Sequence, residues 1–395
     1  MEKRIEGLLD TFHDYFGEAQ PVIYSAPGRT EIGGNHTDHQ RGKVLAGSVN
    51  VDILAAAAEN GSGIVRVKSE GYDMFQVDLG TLEPVETEQG TTAALVRGIC
   101  SEAKDRGHEV RGFDACVTSQ VMQGSGLSSS AAFEVLIGAV VNGLFCNEEL
   151  DATELAIMGQ AAENRFFGKP CGLMDQMASA WGGIIAIDFK DPSKPEVHPV
   201  DFDFASAGHS LCMIDVGADH ASLTHEYAAI PAEMKKISAH FGKDVLREVD
   251  EAEFFAAIPA LRREAGDRAV LRAIHIFQEN RRVERLCQAL GEGDFDAFLQ
   301  VVRQSGRSSW MYLQNVIVTG SVQEQSAALA LALCDSILGQ QGAFRVHGGG
   351  FGGTVQAFVP DDMLEEFRQN VEAVFGPGSC HVMKIRSKGF MKVEY

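Results

Sequence analysis

A turn rich in glycine and serine constrains the fold of this chain more than any other segment. Residues 123–132 read Gln-Gly-Ser-Gly-Leu-Ser-Ser-Ser-Ala-Ala and separate an apolar run predicted as a strand, 113–121, from one predicted as a helix, 131–144. Glycine allows positive φ and a close approach of the backbone to a ligand, and the unpaired N–H groups at a helix start attract an anion. The segment therefore predicts a strand, a phosphate-binding loop and a helix.

Two better-known phosphate-binding loops match this turn poorly. A Walker A loop needs Gly-Lys followed by Ser or Thr, which is absent here, and the third glycine of a dinucleotide fingerprint is replaced by Ser129. An ordinary capped helix after a tight turn remains an alternative, but the consecutive serines add hydroxyls that can reach phosphate or a metal. The candidate phosphate-binding residues are Gly124, Ser125, Gly126, Leu127, Ser128, Ser129 and Ser130.

The length of the chain predicts two domains. Its 395 residues are too many for one typical core and are enough for two domains of about 200 residues each. Residues 191–203 contain prolines and show little apolar periodicity, as is typical of a linker. We therefore predict an N-terminal domain at 1–204 and a C-terminal domain at 205–395.

The apolar patterns predict an α+β fold class, with an antiparallel sheet in the second domain. The predicted strands are 22–25, 44–57, 64–69, 74–79, 113–121, 184–189, 211–216, 344–346, 355–359, 380–385 and 390–393. The predicted helices are 93–105, 131–144, 153–167, several between 219 and 339, and 362–375. Residues 1–17 have one apolar helical face and no signal-peptide pattern, so we expect them to be structural.

Charge and composition exclude several classes of protein. The formal charge of −21 disfavours binding to nucleic acid or to an anionic membrane. No apolar run approaches the ~18 residues of a membrane helix. The eight cysteines occur singly, which is typical of reduced thiols in a cytoplasmic protein, and no histidine spacing indicates a zinc site.

A second dense segment, residues 25–40, lies between two predicted strands. It reads Ser-Ala-Pro-Gly-Arg-Thr-Glu-Ile-Gly-Gly-Asn-His-Thr-Asp-His-Gln, which is the composition of a binding loop on a rigid scaffold. The carboxylate of Asp38 and the imidazole of His36 suit a ligand with several hydroxyls, such as a sugar. Ordinary turn formation by Gly-Asn and Thr-Asp is the alternative.

Two further segments have compositions that indicate a site. Asp175, in Pro-Cys-Gly-Leu-Met-Asp-Gln (170–176), has mostly apolar neighbours, so either a partner compensates its charge or it caps a helix that begins at residue 176. Residues 348–353 contain five glycines between two predicted strands. They form either a flexible hairpin or a close approach to a ligand or another backbone.

These four segments resemble, in the same order along the chain, the motifs of the GHMP small-molecule kinases. Residues 28–39 and 171–176 resemble the galactokinase signature and the Cys-Gly-x-Met-Asp-Gln block of that family. The resemblance implies the GHMP kinase fold, with a ribosomal protein S5 domain 2-like N-terminal domain and a ferredoxin-like C-terminal domain. It also implies transfer of a phosphoryl group from ATP, with Mg²⁺, to the anomeric hydroxyl of galactose.

The resemblance implies a role for individual residues. Asp175 would be the base and Arg29 the electrostatic stabiliser, while Ser130 and Glu163 would bind Mg²⁺. The expected sugar contacts are Asn35, His36, Asp38, Gly172 and Tyr227. The glycine run expected near the nucleotide consists of Gly348, Gly349, Gly350, Gly352 and Gly353.

Three positions depart from the family pattern. Asn35 replaces a glutamate that contacts the 6-hydroxyl of the sugar, His39 replaces a tyrosine, and His347 stands where threonine is frequent. Because the first two also resemble plant galacturonokinases, and a glutamate would repel a C6 carboxylate, galacturonate is an alternative substrate. A galactose sensor without catalysis and a dehydrogenase are more distant alternatives. The sequence leaves the oligomeric state open, and we favour a monomer.

Overall fold

The computed structural model describes residues 2–121, 126–217 and 223–395. Most of the first half forms one large sheet. Its strands are β1 (Val22–Gly33), β2 (Lys43–Glu59), β3 (Ile64–Ser69), β4 (Phe75–Asp78), β5 (Phe113–Ser119), β6 (Ile184–Asp188), β7 (Glu196–Val200) and β12 (Met391–Val393). Their order is β12-β1-β2-β5-β3-β4, with β6 and β7 continuing from the other part of β2. β3 and β5 are parallel, and the other paired strands are antiparallel.

Helices cover both faces of this sheet. α1 (Glu2–Phe16) buries Ile5, Leu8 and Phe12 against one face, as its apolar stripe predicts. The helices on the other face are α2 (Thr92–Asp105), α3 (Ser129–Phe145), α4 (Ala152–Ala161) and α5 (Met174–Trp181). α3 is apolar almost all round and buried over most of its length, so the helix that follows the glycine-serine turn is central to the core.

The second half contains a smaller antiparallel sheet, in the order β11-β8-β10-β9. Its strands are β8 (His209–Asp215), β9 (Ala343–His347), β10 (Thr354–Pro360) and β11 (Cys380–Met383). The helices are α6 (Thr224–His240), α7 (Glu251–Glu264), α8 (Asp267–Glu292), α9 (Phe295–Ser308), α10 (Ser326–Leu338) and α11 (Leu364–Phe375). No helix in the described ranges is long and apolar enough to span a bilayer. The eight cysteines are free thiols, as predicted.

The structure corrects four sequence predictions. The first strand does not end at residue 25 but continues to Gly33, because backbone pairing with β2 persists through two register shifts. The proposed linker 191–203 contains β7, which pairs with β6. The helix predicted at 153–167 changes from α to π geometry after Ala161. The last strand, β12, joins the first sheet rather than the second.

The predicted domain boundary stays our proposal. Residue 205 lies between β7, in the larger sheet, and β8, in the smaller one. The pairing of β12 with β1 adds that the chain returns to the first sheet at its C-terminal end. A limit drawn only along the sequence therefore separates β12 from the sheet to which it belongs.

Candidate active site

An ion pair between Arg29 of β1 and Asp175 of α5 lies at the centre of the site. Nε and Nη2 of Arg29 donate to Oδ1 and Oδ2 of Asp175 at 2.7 and 2.8 Å. The hydroxyl of Ser128 donates to Oδ2 at 2.7 Å. Arg29 is buried, whereas the side chain of Asp175 is 31% exposed. The carboxylate is thus held by fixed donors and still has an open side.

Asp175 is ionised at neutral pH. Burial acts to raise the pKa of this carboxyl, but the charge and hydrogen bonds of Arg29, together with Ser128, outweigh it and hold the pKa below its ordinary value. α5 begins at Met174, and its N-cap residue Leu173 makes no side-chain cap, so the alternative that Asp175 caps a helix is wrong. The prediction that a partner compensates its charge is confirmed, and that partner is Arg29.

The predicted phosphate loop adjoins this pair. Gly124 and Ser125 lie outside the described residues, while the carbonyls of Gly126 and Leu127 accept hydrogen bonds from the Arg29 side chain and backbone, respectively. Ser129 and Ser130 begin α3. Ser128, at the N-cap, has φ 56° and gives its hydroxyl to Asp175 rather than to the helix. The first turn of α3 therefore has no N-cap side-chain bond and suits an anion.

The glycine turn, residues 348–353, connects β9 to β10 and packs against the other motifs. Asn35 Nδ2 donates to the carbonyl of Gly348 at 2.6 Å, and His36 Nε2 to that of Gly349 at 3.1 Å. Tyr227 donates to Gly350 O at 2.9 Å, and a Cβ at position 349 would lie 2.3 Å from the Tyr227 ring. Further along the turn, Gly352 has φ 128° and Gly353 O accepts a bond from Val216 N. The absence of side chains is required for this close packing.

Asp38 and Gly172, two of the predicted sugar residues, lie next to each other. A Cβ at Gly172 would lie only 1.8 Å from Oδ2 of Asp38, so the backbone at 172 contacts that carboxylate. The backbone N–H of His39 holds the other oxygen, Oδ1, at 2.8 Å. Burial, followed by the nearby His39, lowers the pKa of His36 to about 3, so this ring is neutral at physiological pH.

Asn35 lies in a buried network behind the glycine turn. It has no solvent exposure, and Nδ2 donates to Glu31 at 3.0 Å as well as to Gly348. Oδ1 accepts a hydrogen bond from Asn315 Nδ2 at 2.9 Å. Glu31 in turn forms a salt bridge with Arg345. Sequence reasoning missed Glu31 and Arg345, although charged residues beside two glycine-rich motifs could have indicated them.

The predicted metal ligands lie near a second carboxylate that was not predicted. Glu163 accepts hydrogen bonds from Lys169 at 3.0 Å and from Gln176 at 3.2 Å, and the Gln176 amide also binds Glu134 at 2.8 Å. Oε1 of Glu134 is buried with no hydrogen-bond partner among the described residues. Ser130 precedes Glu134 by one helical turn on α3, so the two share a face.

These oxygen donors fit Mg²⁺, which prefers carboxylates, hydroxyls, phosphates and water. Burial, and then the charge of Glu163, raise the pKa of Glu134 well above its ordinary value, so a cation here would relieve an unfavourable electrostatic environment. Among the described residues, no group of three His, Cys, Asp or Glu side chains has the geometry of a metal site. A cation held here would therefore also need ligands from outside the protein, such as nucleotide phosphates.

Comparison with known proteins identifies the family of this chain. The family model of the GHMP kinase N-terminal domain matches residues 94–183, and that of the galactokinase galactose-binding signature matches residues 10–59. The galactokinase of Streptomyces coelicolor is 31% identical over 389 residues, covering 98% of this chain and 97% of that protein. This chain belongs to the galactokinase family. A galactokinase of Actinobacillus pleuropneumoniae is also 31% identical and covers 91% of the chain and 90% of its own length.

Solved structures confirm the GHMP kinase fold. Lactococcus lactis galactokinase, crystallised with galactose, superposes with a TM-score of 0.85 at 25% identity, covering 98% of this chain and all of that chain. Methanococcus jannaschii mevalonate kinase superposes with a TM-score of 0.66 at 12% identity, which indicates a shared fold alone. The chain is therefore a sugar kinase of the galactokinase family and uses ATP.

Proposed function

We propose that this protein transfers the γ-phosphoryl group of ATP to the anomeric hydroxyl of galactose. The observation that carries the proposal is the Arg29–Asp175 pair. Its carboxylate accepts a hydrogen bond from Ser128 at the start of α3, and Gly172, three residues before Asp175, has its backbone against Asp38. Family membership supports galactose as the acceptor, because the similar proteins are named galactokinases. The Arg29–Asp175 pair would be needed whichever sugar hydroxyl reacts, so it does not decide which sugar is the acceptor. The choice of sugar therefore needs its own test.

Asp175 is the proposed base. Its carboxylate is ionised and partly open, so it can accept the proton of a sugar hydroxyl as the phosphoryl group transfers. Arg29 and Ser128 hold the carboxylate in one orientation, and the Arg29 charge also stabilises the developing negative charge of the transferring group. Catalysis in this scheme comes mainly from positioning and charge neutralisation.

The sugar would bind beside the glycine turn. Asp38 can accept hydrogen bonds from two hydroxyls, and the backbone at Gly172 approaches without a side chain in the way. His36 and Tyr227 are fixed by carbonyls of the turn and would form the adjoining wall. Because the Asn35 amide is bonded to protein groups on both of its polar atoms, we propose that it supports this wall rather than binding the sugar directly.

Ser130 and Glu163 would hold Mg²⁺, with Glu134 close to them on α3. The cation supplies neutralisation of the nucleotide phosphates when it is bound. In the protein itself, Lys169 and Gln176 orient the Glu163 carboxylate.

We also propose that the protein is a monomer. The molar mass measured by light scattering during size-exclusion chromatography tests this proposal.

The function is tested by ADP release from the purified protein with ATP and Mg²⁺. Galactose, galacturonate, glucose and a sample without sugar are compared side by side. We expect turnover that depends on galactose. Turnover on galacturonate alone would contradict the proposed acceptor and support a galacturonokinase. Binding of galactose without ADP release on any sugar would support a sensor.

A further inference from the structure

Two buried polar side chains that flank the glycine turn lie against the phosphate loop. His347 ends β9 and Thr354 begins β10, and the two residues are directly paired across these strands. A Cβ built on Gly126 would lie 2.5 Å from the Thr354 hydroxyl and 3.1 Å from His347 Nδ1. The pair therefore packs against the side-chain-free face of Gly126, whose carbonyl accepts a bond from Arg29.

The tautomer of His347 follows from its partners. Nε2 accepts the backbone N–H of Glu31 at 2.9 Å, and a backbone amide can only donate. The Thr30 hydroxyl lies 3.2 Å from the same nitrogen and itself accepts a bond from Gln356. Burial, followed by the charges of Arg29 and Arg345, keeps the pKa of His347 well below its ordinary value. The ring is neutral, and its proton is on Nδ1.

Neither the Nδ1–H of His347 nor the hydroxyl of Thr354 has a hydrogen-bond partner within the described part of the chain. The two residues are only 2% and 1% exposed. A buried donor without a partner is destabilising, and such groups in folded proteins are rare and often functional. For Thr354, a strand position that required only packing would accept valine, which has the same shape and no hydroxyl.

We propose that His347 and Thr354 form a donor pair for the phosphate chain of the bound nucleotide, completed when ATP occupies the site beside Gly126. The inference rests on the proposed kinase function and adds to it a specific role for these two side chains. It assigns His347, one of the departures from the family pattern, to nucleotide binding. The glycine turn and its two flanking residues would then contribute side-chain donors in addition to the glycines.

The proposal predicts that loss of the Thr354 hydroxyl weakens nucleotide binding without lowering the stability of the free protein. Thr354→Val removes an unpaired buried hydroxyl, so the Tm of the free protein is not lowered, while the Kd for a non-hydrolysable ATP analogue with Mg²⁺ rises by about tenfold. Thr354→Ser keeps the hydroxyl and serves as the matched control, with a Kd within about threefold of the wild type. Isothermal titration calorimetry and thermal unfolding measure the two quantities.

His347 offers a second matched pair of variants. In His347→Asn the amide N–H can replace Nδ1–H, whereas in His347→Gln the amide oxygen can replace Nε2 as the acceptor for Glu31. We expect the asparagine variant to retain nucleotide affinity better than the glutamine variant. A purely structural role, anchored at Glu31, would give the reverse order in stability and no difference in affinity.

The outcomes separate this inference from the proposed function. If the wild type binds the analogue and Thr354→Val binds it equally well, the donor pair is wrong while the kinase assignment stands. A lower Tm with unchanged affinity would also overturn the pair. A wild-type protein that binds no nucleotide would contradict both proposals.

Discussion

Two arginine–carboxylate pairs each include one residue of β1, Arg29 or Glu31, but the pairs differ in their exposure. Arg29 binds Asp175, whose side chain is 31% exposed, whereas Glu31 binds Arg345 with both side chains at 3% or less. Arg345 also donates to the carbonyl of Ile32 at 3.0 Å, and Asn35 contacts Glu31 from the other side. The Arg29–Asp175 pair therefore faces the candidate site, whereas the Glu31–Arg345 pair is buried inside the protein.

The carboxyl groups of the two pairs respond to burial in opposite directions. For Asp175, Arg29 and Ser128 outweigh burial and lower the pKa, whereas for Glu31 burial outweighs Arg345 and raises the pKa. An ion pair alone therefore does not define a catalytic group. The pair that keeps an ionised and accessible carboxylate can take a proton, and the buried pair fixes the geometry of the strand and the glycine turn.

Asp175→Asn should have the largest effect on activity. The amide cannot accept the proton, so kcat should fall by about 10³-fold, within the range of general-base contributions. Sugar binding, measured by calorimetry, should survive, because the proposed sugar contacts of Asp38 and Gly172 are not changed. Near-normal turnover by a folded variant would reject Asp175 as the base.

Arg345→Met should act on stability. It leaves the Glu31 carboxylate buried without its partner, which lowers the free energy of unfolding by roughly 3–5 kcal/mol. Denaturant unfolding measures the change. The matched control is Arg262→Met, which breaks a solvent-exposed pair with Asp267 and should leave the free energy of unfolding nearly unchanged. Equal losses in the two variants would remove the distinction between buried and exposed pairs.

Arg29→Lys sharpens the comparison because it keeps the positive charge and removes the two-pronged guanidinium that binds both oxygens of Asp175. A lysine cannot make two parallel bonds to Asp175 while also reaching Gly126, so kcat should fall by about 10²-fold, with a smaller change in the KM for sugar. Steady-state kinetics with both substrates separate these effects. A rise in KM with kcat unchanged would indicate a binding role only.

The smallest effect is expected from pH. Because Arg29 and Ser128 hold the pKa of Asp175 below its ordinary value, the proposed base stays ionised from pH 8 to pH 5, and activity is lost only as the pH falls through that lowered pKa. The stabilising contribution of this carboxylate is likewise present above its unfolded pKa and lost on the acid side. The profile of kcat/KM should therefore be flat between pH 5 and pH 8. An acid limb near pH 6.5 that Asp175→Asn abolishes would disagree.

Local patterns predicted the parts of the site that short segments determine. The glycine-serine turn gave a helix start within two residues of Ser129, and the apolar surroundings of Asp175 indicated a compensating charge. Both depend on backbone and desolvation rules that act within a few residues. They also apply without knowledge of the tertiary contacts.

Long-range contacts account for what the sequence did not predict. β1 is buried at nearly every position, so its length does not show as alternation, and its pairing with β12 joins the two ends of the chain. Asn35 is held by Gly348 and Asn315, which are far away in sequence. A sugar contact of Asn35 stays a prediction, whereas the hydrogen bonds of its amide to these protein groups were not predicted.

The measurement that tests the central claim most directly compares galactose with 1-deoxygalactose, which lacks the anomeric hydroxyl. ADP release and ³¹P NMR of the product are recorded for both sugars with the wild-type protein, ATP and Mg²⁺. The account predicts turnover of galactose to an anomeric phosphate ester and no turnover of the deoxy sugar. Equal turnover of both sugars, or an ester at another carbon, would contradict it.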